Sequence, residues 1–210
     1  MPRVPVLALG MRATCLALVL AIAGCSSSST SSPSAPPAPA QPTHEASPTL
    51  EVAILAGGCF WGMEEILRSI PGVVETEVGY EGGTTAAPDY EQVHTGRTGH
   101  AESVKIVFDP KQLRYADLLE RWFFKMHDPT TLNRQGNDVG TQYRSAIFVT
   151  SEVQRATAEE VKARVDRSGF WKRPIVTEIV AAGPFTPAED DHQDYLQKHP
   201  DGYTCHYMRE

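Results

Sequence analysis

Apolar positions along this chain change period several times, and each change marks an element. Leu50–Ala56 is a nearly unbroken apolar run of strand length that ends at Gly57-Gly58, a turn. From Cys59 to Ser69 the spacing becomes helical, with Met63, Ile66, Leu67 and Ile70 on one face, and Pro71-Gly72 stops it. Val73–Tyr80 alternates like a strand, Glu81–Gly99 reads as a long glycine-containing loop, and Glu102–Phe108 alternates again. Arg114–Met126 is helical, with Leu118, Leu119, Trp122, Phe123 and Met126 as packing residues. His127–Thr141 is polar loop, Gln142–Thr150 strand, and Ser151-Glu152-Val153-Gln154 a capping box that opens a helix to about Arg167. Ile175–Ala181 is the last strand, and Thr186-Pro187-Ala188-Glu189 predicts a helix over Pro187–Lys198. The tail after Pro200 has no period. One strand pair is joined without a helix, so the expected fold is an α+β two-layer sandwich with a mixed β-sheet, flanking helices and an irregular C-terminal tail.

The first 24 residues follow different rules. They carry Arg3 and Arg12, no acid, and an eleven-residue mainly apolar run, Ala13–Ala23, which is short of the roughly 20 residues a membrane span needs. This is the pattern of a signal peptide over residues 1–24. Leu20-Ala21-Ile22-Ala23-Gly24-Cys25 resembles a bacterial lipobox, which makes Cys25 an acylated mature N-terminus. Residues 26–49 are rich in Ser, Pro and Ala and lack Phe, Trp, Tyr and branched apolar residues, too poor in apolar surface to offset ordering entropy, and they read as a disordered linker. As a coil it spans about 30 Å, and as polyproline II about 75 Å. The catalytic domain is then 50–210.

Composition narrows the chemistry. The formal charge of −7 becomes −9 once the two leader arginines are gone, which argues against nucleic acid as a partner. Cys15 leaves with the leader, so the domain keeps only Cys59 and Cys205, too few for a disulfide framework or a four-cysteine zinc site. Six domain histidines show no HExxH-like spacing, and no metal or other cofactor is expected. Cys59 stands where a strand turns into a helix, near unpaired N–H groups and the positive end of the helix dipole. That placement favours a thiolate. Two preceding glycines allow close approach, and Phe60 and Trp61 offer an apolar wall that a structural turn does not need.

The motifs Gly58-Cys59-Phe60-Trp61-Gly62, Gly99–Glu102 (GHAE), Gln135–Ser145 (QGNDVGTQYRS) and Ala188–Leu196 (AEDDHQDYL) together resemble the A-type methionine sulfoxide reductase family, in the family's order and over about Ala53–Tyr203. The resemblance implies a two-layer mixed-sheet fold, activity on the S epimer of protein-bound and free methionine sulfoxide, and recycling by a thioredoxin-like reductant. It makes Cys59 the nucleophile and Glu102 the acid. Tyr90 and Tyr143 fall where the family places phenols near the sulfoxide oxygen, and Asp138 where it places a further polar contact. Phe60 and Trp61 match the pocket for the substrate methyl, and Tyr195 the tyrosine of the last helix. Gly202-Tyr203-Thr204-Cys205 is similar to the family's GYC ending with Thr204 inserted, and Cys205 is the candidate to resolve a Cys59 sulfenic acid into a disulfide.

Two rival readings use the same residues. A thiol peroxidase or redox sensor would consume peroxide without sulfoxide, and a non-catalytic binder of oxidised protein would hold sulfoxide peptides without turnover. The expected protein is a monomer in the cell envelope, lipid-anchored to a membrane, with the outer membrane preferred because Ser26 is not the aspartate of an inner-membrane retention signal. Cys25→Ser should release the domain into the soluble fraction with turnover intact. Persistent sedimentation of that variant with membranes would contradict acylation at Cys25.

Overall fold

The computed structural model describes residues 49–210; the leader, Cys25 and the linker up to residue 48 lie outside the described residues. A six-stranded mixed sheet forms from β1 (Glu51–Gly57), β2 (Val73–Glu81), β3 (Ala101–Phe108), β6 (Ser145–Val149), β7 (Glu178–Ala181) and β8 (Thr186–Pro187). Its order is β7-β6-β1-β3-β2-β8, with β6 and β7 parallel and every other neighbouring pair antiparallel. A separate two-stranded hairpin joins β4 (Arg134–Gln135) to β5 (Asp138–Val139).

Alternation along the strands divides the apolar residues between two faces. Ala53 and Leu55 of β1, Val104, Ile106 and Phe108 of β3, and Ile147 and Val149 of β6 enter the main core. They meet Phe60, Met63 and Leu67 of α1 (Phe60–Arg68), and Ala158, Val161 and Val165 of α4 (Glu152–Arg167). The intervening residues Ile54, Ala56, Ala101, Ala146 and Phe148 form a smaller cluster against Val52, Ala182 and Phe185. All the long helical elements thus cover one face, as a two-layer α+β sandwich requires.

Several elements depart from what periodicity predicts. The Arg114–Met126 helix, α3, is a composite: Tyr115–Asp117, a π-helical Leu118–Phe123, then Phe124–Met126. The wider turn brings Leu118, Leu119, Phe123, Phe124 and Met126 all into the core, more than one α-helical stripe would place there. The Glu81–Gly99 loop contains α2 (Tyr90–His94), opened by a capping box in which Asp89 accepts from the Gln92 N–H at 2.8 Å and Gln92 returns a bond to the Asp89 N–H. In the Ser151 cap, Ser151 Oγ accepts from the Gln154 N–H, but the Gln154 side chain accepts from Thr150 and donates to the Val52 carbonyl at 2.7 Å, tying α4 to β1. The clearest correction is at 187–198. Thr186 and Pro187 pair with Tyr80 and Gly79 as an edge strand, and only α5 (Tyr195–Lys198) is helical, because Asp194 takes a left-handed φ of 52°. Proline suits an edge, where its missing N–H leaves no ladder bond unmade.

Phe108→Ala should lower unfolding free energy by about 3–5 kcal/mol, because its ring is fully buried against Tyr115. The exposed Val153→Ala, in the first turn of α4, should stay within about 0.5 kcal/mol. Urea midpoints at constant slope measure both, and equal shifts would contradict this assignment of the core.

Candidate active site

The end of β1 delivers the chain into Gly57-Gly58, and the backbone there leaves no room for side chains. Gly58 has φ +113°, and a Cβ on it would lie 2.6 Å from Gln135 Cγ and 3.1 Å from His206 Cε1. The Gly57 carbonyl accepts from Gln135 Nε2 at 3.2 Å and from His206 Nε2 at 2.9 Å. This clamped turn fixes Cys59 as the N-cap of α1. Gly62, one turn further, faces Thr204 and His206, so the irregular C-terminal tail closes over the start of the helix.

Glu102 approaches from β3. It shares the face of Val104 and Ile106, and register places it beside Tyr80, so its carboxyl enters the core layer at the N-terminus of α1. Oε2 accepts the Phe60 backbone N–H at 3.1 Å, using one of the four donors that every helix start leaves free. Burial pushes this carboxyl up to about 8, with Asp138 adding to the rise and the Phe60 N–H opposing it. Glu102 is therefore protonated at neutral pH. With Oε2 occupied as an acceptor, Oε1 is the oxygen left to carry the proton.

The Cys59 thiol corrects the expectation of a thiolate. The Trp61 backbone N–H does favour the anion, but burial first and the Glu102 charge second push the thiol well above its ordinary value. At 6% exposure Cys59 is almost wholly withdrawn from water, and that desolvation outweighs one helix-start amide. At rest both groups are neutral.

Cys59, Phe60, Trp61, Tyr90, Glu102, Asp138, Tyr143 and Tyr203 line one cavity of about 190 Å³. Trp61 is held by a stack on Tyr195 with ring centroids 3.8 Å apart, and by a hydrogen bond from its Nε1 to His192 Nδ1 at 3.1 Å. Tyr195 therefore supports the wall without lining it. Tyr90 also stacks on His192, with ring centroids 4.3 Å apart, and its backbone N–H donates to Glu189 Oε1, while Tyr80 Oη donates to Glu189 Oε2. Burial, then the Glu102 charge, pushes the Tyr90 phenol up to about 12, and the same two causes raise Tyr143. Both phenols stay protonated donors. Asp138 comes from the hairpin whose Gly136 (φ +58°) makes the tight turn; cross-strand pairing puts Gln135 and Asp138 opposite one another.

Asp138 Oδ1 accepts from Tyr203 Oη at 3.1 Å, and Oδ2 accepts from Cys205 Sγ at 3.3 Å. Cys59 and Cys205 are both free thiols. Burial and then Asp138 push the Cys205 thiol up to about 12, opposed by the nearby Cys59 backbone N–H. The two cysteines are thus neighbours already, and the irregular tail that carries Cys205 is pinned by buried His206.

Three residues of this region escaped sequence reading: Tyr203 in the lining, His192 between the aromatic rings, and His206 under the glycine turn. The first lay inside the quoted GYTC motif. His192 lies inside the quoted AEDDHQDYL motif and within the helix predicted over Pro187–Lys198, whereas the chain there is non-helical and the imidazole is buried.

A family model described as peptide methionine sulfoxide reductase matches residues 51–210. A peptide methionine sulfoxide reductase MsrA 1 from Mesorhizobium japonicum is 55% identical over 159 residues, 76% of this chain and 90% of that protein. Among solved structures, reduced Mxr1 from Saccharomyces cerevisiae superposes with a TM-score of 0.72 at 37% identity, covering 77% of this chain and 93% of that one. Mxr1 in complex with Trx2 gives 0.53 at 25% identity, over 80% and 97%. Sequence and fold agree on an oxidoreductase that acts on methionine sulfoxide. The chain belongs to the peptide methionine sulfoxide reductase family, as an enzyme of the A type.

The raised Glu102 carboxyl has a consequence for stability. It holds its proton up to about 8 in the fold but only to 4.5 in an unperturbed chain, so its contribution is complete below about 4.5 and is lost as pH rises through about 8. Glu102→Gln, neutral throughout, should gain stability relative to wild type on going from about pH 5 to about pH 8. Urea unfolding at both pH values measures this, and a pH-independent difference would contradict the buried acid.

Proposed function

We propose that this enzyme reduces the S epimer of methionine sulfoxide, protein-bound and free, by passing the sulfoxide oxygen to Cys59. The observation that carries the reading is a buried, protonated Glu102 beside a buried thiol in one small aromatic-walled cavity. About 190 Å³ is below the 300–1,000 Å³ of typical ligand pockets, so it suits the tip of one side chain rather than a whole ligand. In this reading Phe60 and Trp61 take the methyl group. Glu102 protonates the sulfoxide oxygen, assisted by hydrogen bonds from Tyr90 and Tyr143, as the Cys59 sulfur attacks the sulfoxide sulfur. The Cys59 proton replaces the one Glu102 gives up. Thiol plus sulfoxide thus become sulfenic acid plus thioether, with Cys59 losing the two electrons the substrate sulfur gains.

Asp138 organises Tyr203 and Cys205, and the Cys205 thiol then condenses with the sulfenic acid to give a disulfide and water. A thioredoxin-like reductant reopens that disulfide; the support is the likeness to Mxr1, a structure of which holds Trx2. Acylated Cys25 holds a monomer at the cell envelope, preferentially the outer membrane, where it repairs oxidised proteins outside the cytosol.

Turnover with separated S and R epimers of a methionine sulfoxide peptide and dithiothreitol tests the reaction. Methionine should form from the S epimer alone and vanish in Cys59→Ser, because a hydroxyl is a far poorer nucleophile. Glu102→Gln should slow the single-turnover step by roughly 10²–10⁴. Equal use of both epimers, or turnover surviving in Cys59→Ser, would overturn the proposal.

A further inference from the structure

The imidazole of His206 is 7% exposed and lies between two fixed partners. Nε2 is 2.9 Å from the Gly57 carbonyl, and Nδ1 is 3.5 Å from Cys205 Sγ. A carbonyl oxygen can only accept, so Nε2 carries the hydrogen. In the neutral ring Nδ1 then has a bare lone pair directed at the thiol. The neutral form is the resting one, since burial, helped by Arg209, lowers His206 to about 4.

We propose that His206 is the general base of the resolving step, taking the Cys205 proton through Nδ1 as the Cys205 sulfur attacks the sulfenic sulfur of Cys59. This rests on Cys205 being the resolving thiol. The S–S bond forms, the S–O bond of the sulfenic acid breaks, and the oxygen leaves as water, taking one proton with it and the one that Nδ1 accepted from Cys205. Cys205 is oxidised and the sulfenic sulfur reduced, with no outside reagent.

The other acceptor near the thiol, Asp138, is less suited to the task. Its Oδ1 accepts from Tyr203 Oη and its Oδ2 accepts the resting Cys205 S–H at 3.3 Å. That bond and its charge both hold the proton on sulfur, pushing the Cys205 thiol up, so the S–H must rotate about Cβ–Sγ to Nδ1 before it is lost. The same charge favours an imidazolium on His206. Asp138 therefore stabilises the ion that proton transfer creates at His206, while the nascent thiolate and imidazolium neutralise each other. The tautomer is set by the same Gly57 carbonyl that shapes the Cys59 turn, so one peptide group positions the nucleophile of the first step and the base of the second.

The test follows disulfide formation in the reduced full-length enzyme mixed with excess S-sulfoxide peptide and no reductant, quenched by alkylation. The Cys59–Cys205 bridge is read by peptide mass, and methionine released in the same samples normalises each rate to enzyme that has turned over. His206→Gln keeps an N–H able to reach the Gly57 carbonyl but has no lone pair at the Nδ1 position; His206→Ala keeps neither. Both should form the bridge roughly 10²-fold more slowly than wild type near pH 7, and equally so. The groups that face His206 are Cys205, Asp138, Arg209 and His127, with Cys59 across the turn. None replaces the base, so the Gln variant's rate should climb about tenfold per pH unit as hydroxide substitutes, while wild type stays flat from about pH 6 to 9. Recovery of the wild-type rate and pH profile in His206→Gln, with only His206→Ala slow, would overturn the base role and leave His206 as an anchor of the tail. Methionine release without any Cys59–Cys205 bridge in wild type would overturn resolution by Cys205, and the base role with it.

Discussion

The hydrogen bond from the Phe60 backbone N–H to Glu102 joins the first turn of α1 to β3, one of the two central strands of the sheet, and the rest of the site is arranged around it. A carboxyl buried at that depth must be either paired or neutral. Here it is neutral, with one oxygen satisfied by an otherwise unused helix-start donor. Cys59 beside it stays uncharged as well, because burial is the largest cause that holds its proton, and any charge on Glu102 would act in the same direction. Fold and reactivity meet in that one contact: strand register sets Glu102 on the helix-covered face, and burial supplies the proton.

The second constraint is the Gly57 carbonyl. Gln135 and His206 both donate to it, and the hairpin that carries Gln135 also carries Asp138. The C-terminal tail has no regular structure, yet it is fixed by this bond, by the close approach at Gly62, and by Arg209 lying over the Trp171 and Tyr207 rings. An irregular segment can thus be as well placed as a helix when buried polar groups specify it. The two thiols lie close together without a bond, which suits an enzyme whose chemistry makes and breaks that bond in each cycle.

Much of this was legible in the sequence where a period is long enough to read. The alternation in Val73–Tyr80 and Glu102–Phe108 reports a sheet with one covered face, and the spacing of Met63 and Leu67 reports the face of α1. The 186–198 segment misled because Thr186-Pro187-Ala188-Glu189 satisfies a capping pattern, yet Glu189 spends its carboxylate on Tyr80 and Tyr90. Those partners are about a hundred residues away in the chain, beyond any local rule. The capping box at Asp89–Gln92 was readable, but a five-residue helix has too little periodicity to confirm it. The elevated Cys59 thiol was hidden for a related reason: a helix-start dipole is visible in sequence, whereas the depth of burial that defeats it is a property of the whole fold.

The central claim is that Glu102 is a buried, protonated acid that delivers its proton in the oxygen-transfer step. The most direct measurement is the pH dependence of methionine formation in a single turnover of reduced enzyme with an S-sulfoxide peptide, compared between wild type and Glu102→Gln. Wild type should hold a constant rate at neutral pH and fall off as pH rises through about 8, where the carboxyl ionises. Glu102→Gln should be slower and lack that alkaline fall. A wild-type rate that keeps rising with pH through this range, following thiolate formation at Cys59 alone, would contradict the account.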